Sequence, residues 1–507
     1  MTSPLKKAVL KSSMIILLAL ALSRVFGYLF HALLAKSFDT ADYGLFVYLW
    51  SLSMMISGLG YLGVPLAVSR FIAFSRGEGG GANARDYLRT GLVLTLALAV
   101  LSILFTVAIV KSSLLKIDDV SLAFVCVIIL IQGVGFYLGS VLSGFRKPEV
   151  SNMSVAFGQI AKVAVLFAVV YFAAGFSWAL LSFAAGFALS YLPITIYVWR
   201  KYSFAGRFRP DLARELVGFG VFTVFVDTAN NLLSWASIFL LQYFVGYSMV
   251  AVFNAASLIS TAGLVLFLSV IEVYAPVVTE LLGRRDYGRC SRLSSYLFES
   301  FFMFFLPPFV IIFLFSDYVL GVFFTPAYVQ AALSLRILLA SSFVMGVAML
   351  FRRFIVADGR PSDDTRIIVT SVVVNVFLNV LLIERYGIGG ASFAALVSSV
   401  VMLALSLRYL GDRIRVSFSK RRMLKVLGFT GISSLVTYSA SLFLSSPAVS
   451  LVVLTVLYCA VYSILLLGFR VLREEDVEMV EMVSERIPLP AGVKRSLVRL
   501  LRAGVGV

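Results

Sequence analysis

The 507-residue sequence is short of charge, of histidine and of cysteine, and each shortage excludes something. Only 14% of its residues are charged and 60% are hydrophobic, against roughly 25% and 45–50% in a soluble globular domain. With a mean hydropathy of +0.99, this rules out a soluble enzyme and equally a soluble domain carried on one anchor. A single histidine, His31, leaves imidazole catalysis and His-rich metal sites without material. Cys126, Cys290 and Cys459 lie far apart with no CxxC spacing, so neither a zinc site nor a disulfide framework is indicated. No GxxxxGK[ST] loop is present to bind and hydrolyse a nucleotide. No DxD motif or large outer loop offers a glycosyltransferase or polymerase a platform. The expectation is a protein that is not an enzyme, with no metal and no cofactor.

What is abundant is long apolar runs. About 20 apolar residues cross the hydrocarbon core as a helix, and fourteen such stretches occur. They run 12–35, 43–69, 91–110, 120–143, 152–174, 178–199, 216–244, 249–278, 293–315, 331–350, 367–383, 391–409, 424–444 and 450–469. They lack the alternation of a lipid-facing barrel, so the expected fold class is an all-α polytopic membrane protein of about 14 transmembrane helices. The first stretch is too long for the apolar region of a signal peptide and carries Arg24, so it reads as an uncleaved span.

The charge is +17, from 43 Lys and Arg against 26 Asp and Glu. In a soluble protein such an excess would suggest nucleic acid; here its placement answers the question. The N-terminus and the connections after the even-numbered spans hold 35 of the cations, and the opposite side holds only Lys36, Lys111, Lys116 and Arg385. That asymmetry is the positive-inside pattern. It predicts a multi-pass protein of the cell membrane with both termini cytoplasmic and no nucleic-acid partner.

An internal repeat is also legible. At a shift of 207 residues Leu33-Leu34 falls on Leu240-Leu241 and Phe46 on Phe253, while 171–181 resembles 384–393 in glycine placement. Two six-span lobes in the same orientation are expected, residues 1–205 and 206–415, as a parallel pseudo-repeat. Spans thirteen and fourteen (416–470) are an appendage. Residues 471–507, acidic then basic, read as a cytoplasmic interfacial tail on membrane lipid.

Ionisable groups inside spans cost roughly 2.5–3.5 kcal/mol each on insertion scales. Four cations remain there: Arg24, Arg70, Lys162 and Arg336. Arg24 lies mid-span with His31 seven residues on, two turns away on one face, which suits a cavity lining. Lys162 is equally central. Arg70 closes the second span at its cytoplasmic edge and Arg336 sits near the outer face, where snorkelling explains them as well as function does. The seventh span carries Thr223, Asp227, Asn230, Asn231 and Ser234, the eighth Asn254, Ser257 and Thr261, and the eleventh Asn375 and Asn379. These stripes are either interhelical hydrogen bonding or a site for a coupling ion, sodium or proton, at Asp227, Asn231, Asn375 and Asn379. Glu272 and Glu299, nearer the cytoplasmic ends, read as interfacial or structurally paired.

Several stretches together resemble one family. SRVFGYLFHALLAKSF around Arg24, then DYGLFVYLW and GVPLAVSRFIA, resemble the start of the polysaccharide-biosynthesis transporters. So do YAPVVTELLGRRDYG near Pro276 and NVFLNVLLIERYGIGGASFAALVSS from Asn375. The resemblance covers spans one to twelve in order, to a branch of the multidrug/oligosaccharidyl-lipid/polysaccharide exporter superfamily. It implies a V-shaped, two-lobed flippase that moves polyprenyl-pyrophosphate-linked oligosaccharide to the outer leaflet through a cationic central cavity, acting as a monomer. By position Arg24 matches the basic residue such flippases place in that cavity, with Lys162, Arg70 and Arg336 carried over beside it. No residue pattern here identifies a particular sugar.

Elementary physics agrees with that expectation. A pyrophosphate cannot enter hydrocarbon unpaired, and buried Arg and Lys offset its desolvation. Outward movement of negative charge gains about 2.3 kcal/mol per charge per 100 mV of inside-negative potential. The alternatives are an ion-coupled multidrug or metabolite antiporter of the same fold and a lipid II-type flippase. Organic cations would prefer an anionic cavity, whereas the first lobe offers Arg24 and Lys162 and no central carboxylate.

Overall fold

The computed structural model describes residues 3–77, 81–112, 117–202, 204–411, 413–444 and 447–486, and singly 115, 492, 499, 501–502 and 505. Side chains are described except those of 3–14, 17, 76–77, 81–83, 222–223, 225–234, 447–448, 479 and 482–486 within helices. Helix is the dominant structure, and among the described residues there is no sheet, only one isolated bridge between Leu472 and Val505. In hydrocarbon each backbone N–H and C=O needs a partner inside its own segment, which a helix supplies.

Two compact units divide the chain, Met1–Ile238 and Phe239–Val507. The division falls within a helix. The first unit contains α1 (Ser3–Ser37), α2 (Thr40–Gly60), α3 (Val64–Gly77), α4 (Gly81–Lys111), α5 (Asp119–Gly144), α6 (Pro148–Tyr171), α7 (Phe176–Lys201) and most of α8 (Pro210–Phe244). Its core lies where α3, α4, α5 and α7 meet, around Val68, Ile72, Tyr137, Val141, Ile194 and Val198. The second unit continues with α9 (Tyr247–Ala262), α10 (Leu264–Gly283), α11 (Tyr287–Leu314) and α12 (Ser316–Phe323), then a 3₁₀ turn at Pro326–Ala331. It ends with α13 (Ala332–Ala357), α14 (Pro361–Leu410), α15 (Lys420–Ser441), α16 (Pro447–Gly468) and α17 (Glu474–Arg486).

All fourteen apolar stretches are helical, but eleven helices among the described residues are long and apolar enough to cross a membrane. The difference has physical causes. The eleventh and twelfth stretches form one element, α14, interrupted at Gly387 with φ 53° and ψ −130°. The chain reverses there: a Cβ on Gly390 would stand 2.4 Å from the Leu382 carbonyl oxygen, and Arg360 at the start of α14 donates to the Tyr409 carbonyl near its end at 2.8 Å. α14 is therefore a helical hairpin. The thirteenth stretch, α15, is diluted by serine, threonine and a basic first turn. The seventh, α8, has its central side chains outside the described residues.

The second stretch is also not one helix. Leu62 and Gly63 adopt φ 48° and 66° and separate α2 from α3. The break is clamped: Tyr61 is buried and donates to the Ile129 carbonyl, and Gly220 approaches so closely that a Cβ would stand 2.2 Å from the Leu62 oxygen.

Helix ends follow the 207-residue shift. α1 ends at Ser37 and α8 at Phe244; α2 begins at Thr40 and α9 at Tyr247. α5 begins at Asp119, and the 3₁₀ turn leading into α13 begins at Pro326. The interruption recurs too, since α9 and α10 are parted at Gly263 as α2 and α3 are at Leu62–Gly63.

Candidate functional site

The seam between α1 and α6 holds three of the groups that sequence singled out in the first unit, Arg24, His31 and Lys162. Arg24 is exposed on α1 and forms no ion pair among the described residues. Gly27, three residues on, faces Gln159 of α6, whose Oε1 is buried without a hydrogen-bond partner. Two turns beyond Arg24, His31 shares a 3.1 Å hydrogen bond between Nδ1 and the Tyr43 hydroxyl. Its ring stands edge-on to Phe30, Tyr43 and Phe46 at 5.8–6.0 Å. The imidazole is thus held by neighbours from α1 and α2.

Lys162, on α6, is 5% exposed. Its Nζ lies 4.7 Å from the ring centroids of both Phe30 of α1 and Phe183 of α7. The close approach of α6 and α7 is set by glycine. A Cβ at Gly186 would stand 2.4 Å from Lys162 Cβ, and one at Gly158 would stand 2.6 Å from Ser190 Cα. Lys162 is near enough to His31 for its charge to bear on the imidazole. Arg24, His31 and Lys162 are thus brought to one helix seam, as mid-span ionisable groups require some polar or aromatic company.

The other residues fall elsewhere. Arg70, on α3, is exposed and lays its guanidinium over Phe219 of α8, 4.3 Å from the ring centroid. Arg336 of α13 pairs with Asp317 of α12 at 2.6 Å and donates to the Phe313 carbonyl at 3.3 Å. Asn375 and Asn379 are both buried in the first arm of α14, the Asn379 amide donating to Asn375 Oδ1 at 2.8 Å. The side chains of Asp227 and Asn231 lie outside the described residues, as do those of Thr223, Asn230 and Ser234. No group of three His, Cys, Asp or Glu residues able to hold a metal occurs among the described residues.

Two features escaped sequence reasoning. The rings around Lys162 were hidden because phenylalanine is everywhere, with 44 in the chain. In the second unit, Arg422 of α15 is buried between Glu299 of α11, at 2.8 Å, and Asp476 of α17. Arg473 adds a second contact to Glu299 at 3.3 Å, and the Ser419 N–H donates to its other oxygen at 2.6 Å. Glu299 is a structural carboxylate, and the acidic helix α17 is docked on protein through Asp476 and through Tyr296, which donates to the Glu475 carbonyl. The basic half of the tail, including Lys494 and Arg495, falls mainly outside the described residues.

Comparison with known proteins adds to this geometry. The family described as polysaccharide biosynthesis protein matches residues 9–282, and the MatE family matches 223–381. A probable low-salt glycan biosynthesis flippase of Haloferax volcanii is 25% identical over 224 residues, 44% of this chain and 47% of that one. The match thus spans about half the length of that relative. Among solved structures, the lipid II flippase MurJ in an inward closed conformation superposes with a TM-score of 0.71 at 15% identity, over 90% of this chain and 98% of that one. An inward-facing multidrug resistance transporter of the MATE family gives a TM-score of 0.67 at 14% identity, over 78% and 98%. At these identities the likeness concerns the fold.

Proposed function

This chain belongs to the polysaccharide biosynthesis protein family within the multidrug/oligosaccharidyl-lipid/polysaccharide exporter superfamily, and we propose that it flips a polyprenyl-pyrophosphate-linked oligosaccharide from the inner to the outer leaflet. The observation that carries the reading is Arg24, an exposed mid-helix cation with no ion pair among the described residues, on the seam that also holds Lys162. An unpaired guanidinium in a membrane span is unfavourable until an anion arrives, and its planar fork suits a phosphate oxygen pair. In this reading Arg24 is the first contact of the pyrophosphate, with His31 and Lys162 behind it. Arg70 assists at the cytoplasmic edge. Arg336 is held by Asp317 and serves the second unit's structure unless that pair opens.

The protein works by alternating access as a monomer in the cell membrane, both termini cytoplasmic. Its driving force is the membrane potential, a coupled sodium ion or proton, or the substrate gradient. Flipping of a fluorescent lipid-linked oligosaccharide in proteoliposomes, with and without a potential and with sodium or proton gradients, tests this. We expect Arg24→Ala to slow flipping at least about tenfold, the scale of one lost charge-assisted contact. A wild-type rate in that variant overturns the reading, and equal flipping of lipid II redirects it to a different headgroup.

A further inference from the structure

The first unit holds a positive charge that no carboxylate answers among the described residues. Lys162 forms no ion pair among the described residues; what faces its ammonium is aromatic. Phe30 and Phe183 come from α1 and α7, both packed against α6, and each presents its ring to Nζ at 4.7 Å. The two rings are 5.3 Å apart and inclined at 58°. Phe46 of α2 closes the triangle at 5.7 Å from Phe30 and 4.9 Å from Phe183, and Trp50 stands edge-on to Phe183 at 4.8 Å. Phe30, Phe46 and Phe183 are all buried. The negative face of an aromatic ring attracts an ammonium within about 6 Å of its centroid, and several rings around one point form a cage for such a cation. Gly186 lets Lys162 reach this point, since any side chain there would strike its Cα and Cβ.

We infer that the first unit contains an aromatic site for an ammonium ion, built by Phe30, Phe183 and their ring neighbours, which the chain fills with its own Lys162. Lys162 is then a specificity-determining residue. An organic ammonium is refused by occupancy and by repulsion. The rings carry no formal charge to cancel an ammonium, so the protonated lysine favours an anion on the α1 flank where Arg24 stands. This last consequence rests on the proposed transport of a pyrophosphate-linked lipid; the site itself does not.

The test uses the full-length protein in nanodiscs. Lys162→Ala removes the atoms from Cγ to Nζ, the outline of n-propylammonium. Added n-propylammonium is expected to raise the thermal midpoint of this variant saturably, by about 2–4 °C, as a ligand selective for the folded state does. It should leave the wild type unmoved, and neutral n-propanol should do less. A response to propanol as large as that to propylammonium, or the same response in the wild type, overturns the site. If the alanine variant does not fold, a second measurement decides. Phenylalanines at 30 and 183 bearing one, two or three fluorines, with Lys162 in place, drain charge from the ring face while keeping its shape. A stepwise fall in midpoint with each fluorine is expected, and a flat series overturns the inference. Neither measurement uses a lipid-linked substrate, so its failure is distinct from a failure of the flippase reading.

Discussion

Glycine in the first unit plays two different parts, and sequence alone does not tell them apart. Gly186 lies against Lys162 with no room for a Cβ, whereas a Cβ on Gly27 would meet only Gln159 Oε1 at 3.7 Å, an ordinary contact. Gly186→Ala is expected to push α7 off α6 and cost about 1–3 kcal/mol, the usual price of overpacking. Gly27→Ala should leave stability unchanged or raise it, since alanine is the better helix former. Thermal unfolding of the two purified variants checks the contrast, and equal loss in both would contradict it. The charged members of the site were legible because a cation inside an apolar run has no cheap explanation. Phe30 and Phe183 were not, because their meeting at one ammonium depends on three helices packing together. The ion pair of Arg336 was not legible for a related reason: its partner Asp317 lies in α12, within a stretch read as an outer connection.

Helices here are fixed at their ends by carboxylates that respond to acid in opposite ways. Asp118 caps α5, accepting from the N–H groups of Val120 and Ser121 at 3.2 and 3.3 Å and from the Ser121 hydroxyl at 2.5 Å. The Ser121 hydroxyl, with those N–H groups, holds its carboxyl below the usual aspartate value. A depressed carboxylate contributes stability above its unfolded pKa, near 4, and loses it as pH falls further. Asp118→Ala should therefore cost about 1 kcal/mol at neutral pH, with the gap from wild type closing below about pH 4. Asp476 behaves conversely. Burial pushes its carboxyl up while Arg422 pulls it down, so its contribution falls as pH rises. Arg422→Met removes the pull and leaves Glu299 and Asp476 buried with less compensation. We expect about 3 kcal/mol of destabilisation, easier proteolytic release of α17, and a deficit that narrows toward acid pH as the raised Asp476 carboxyl takes up a proton. A deficit that widens on acidification would contradict this account. Composition marked 471–507 as an interfacial tail, and α17 is the helix of its acidic part. Its docking partners are Arg422, 54 positions from Asp476, and Tyr296, 179 positions from Glu475, beyond the reach of any local pattern.

For the whole molecule, periodicity and charge placement carried most of the fold, and backbone conformation carried the rest. A shift of 207 residues drawn from a few short matches also aligns the ends of α1 with α8 and the starts of α2 with α9. The interruptions at Leu62–Gly63 and Gly263 and the division at 238/239 within α8 were illegible, because an apolar run looks the same whether or not its backbone turns. The number of crossings depends on such a turn in α14. As one straight rod its 50 residues would run about 75 Å at 1.5 Å per residue, more than twice a hydrocarbon core of about 30 Å. The reversal at Gly387 instead makes two arms, each long enough to cross, and places Arg385 at the apex of the hairpin. Charge placement then puts that apex on the side poor in cations, with Lys111, and puts Arg207 and Arg415 on the rich side. Single cysteines at these four positions, in a background lacking Cys126, Cys290 and Cys459, give a direct measurement. In intact cells a membrane-impermeant maleimide should label Lys111→Cys and Arg385→Cys, and should reach Arg207→Cys and Arg415→Cys only after permeabilisation. Labelling of Arg385→Cys from the same side as Arg415→Cys would mean that the second arm of α14 does not return across the bilayer.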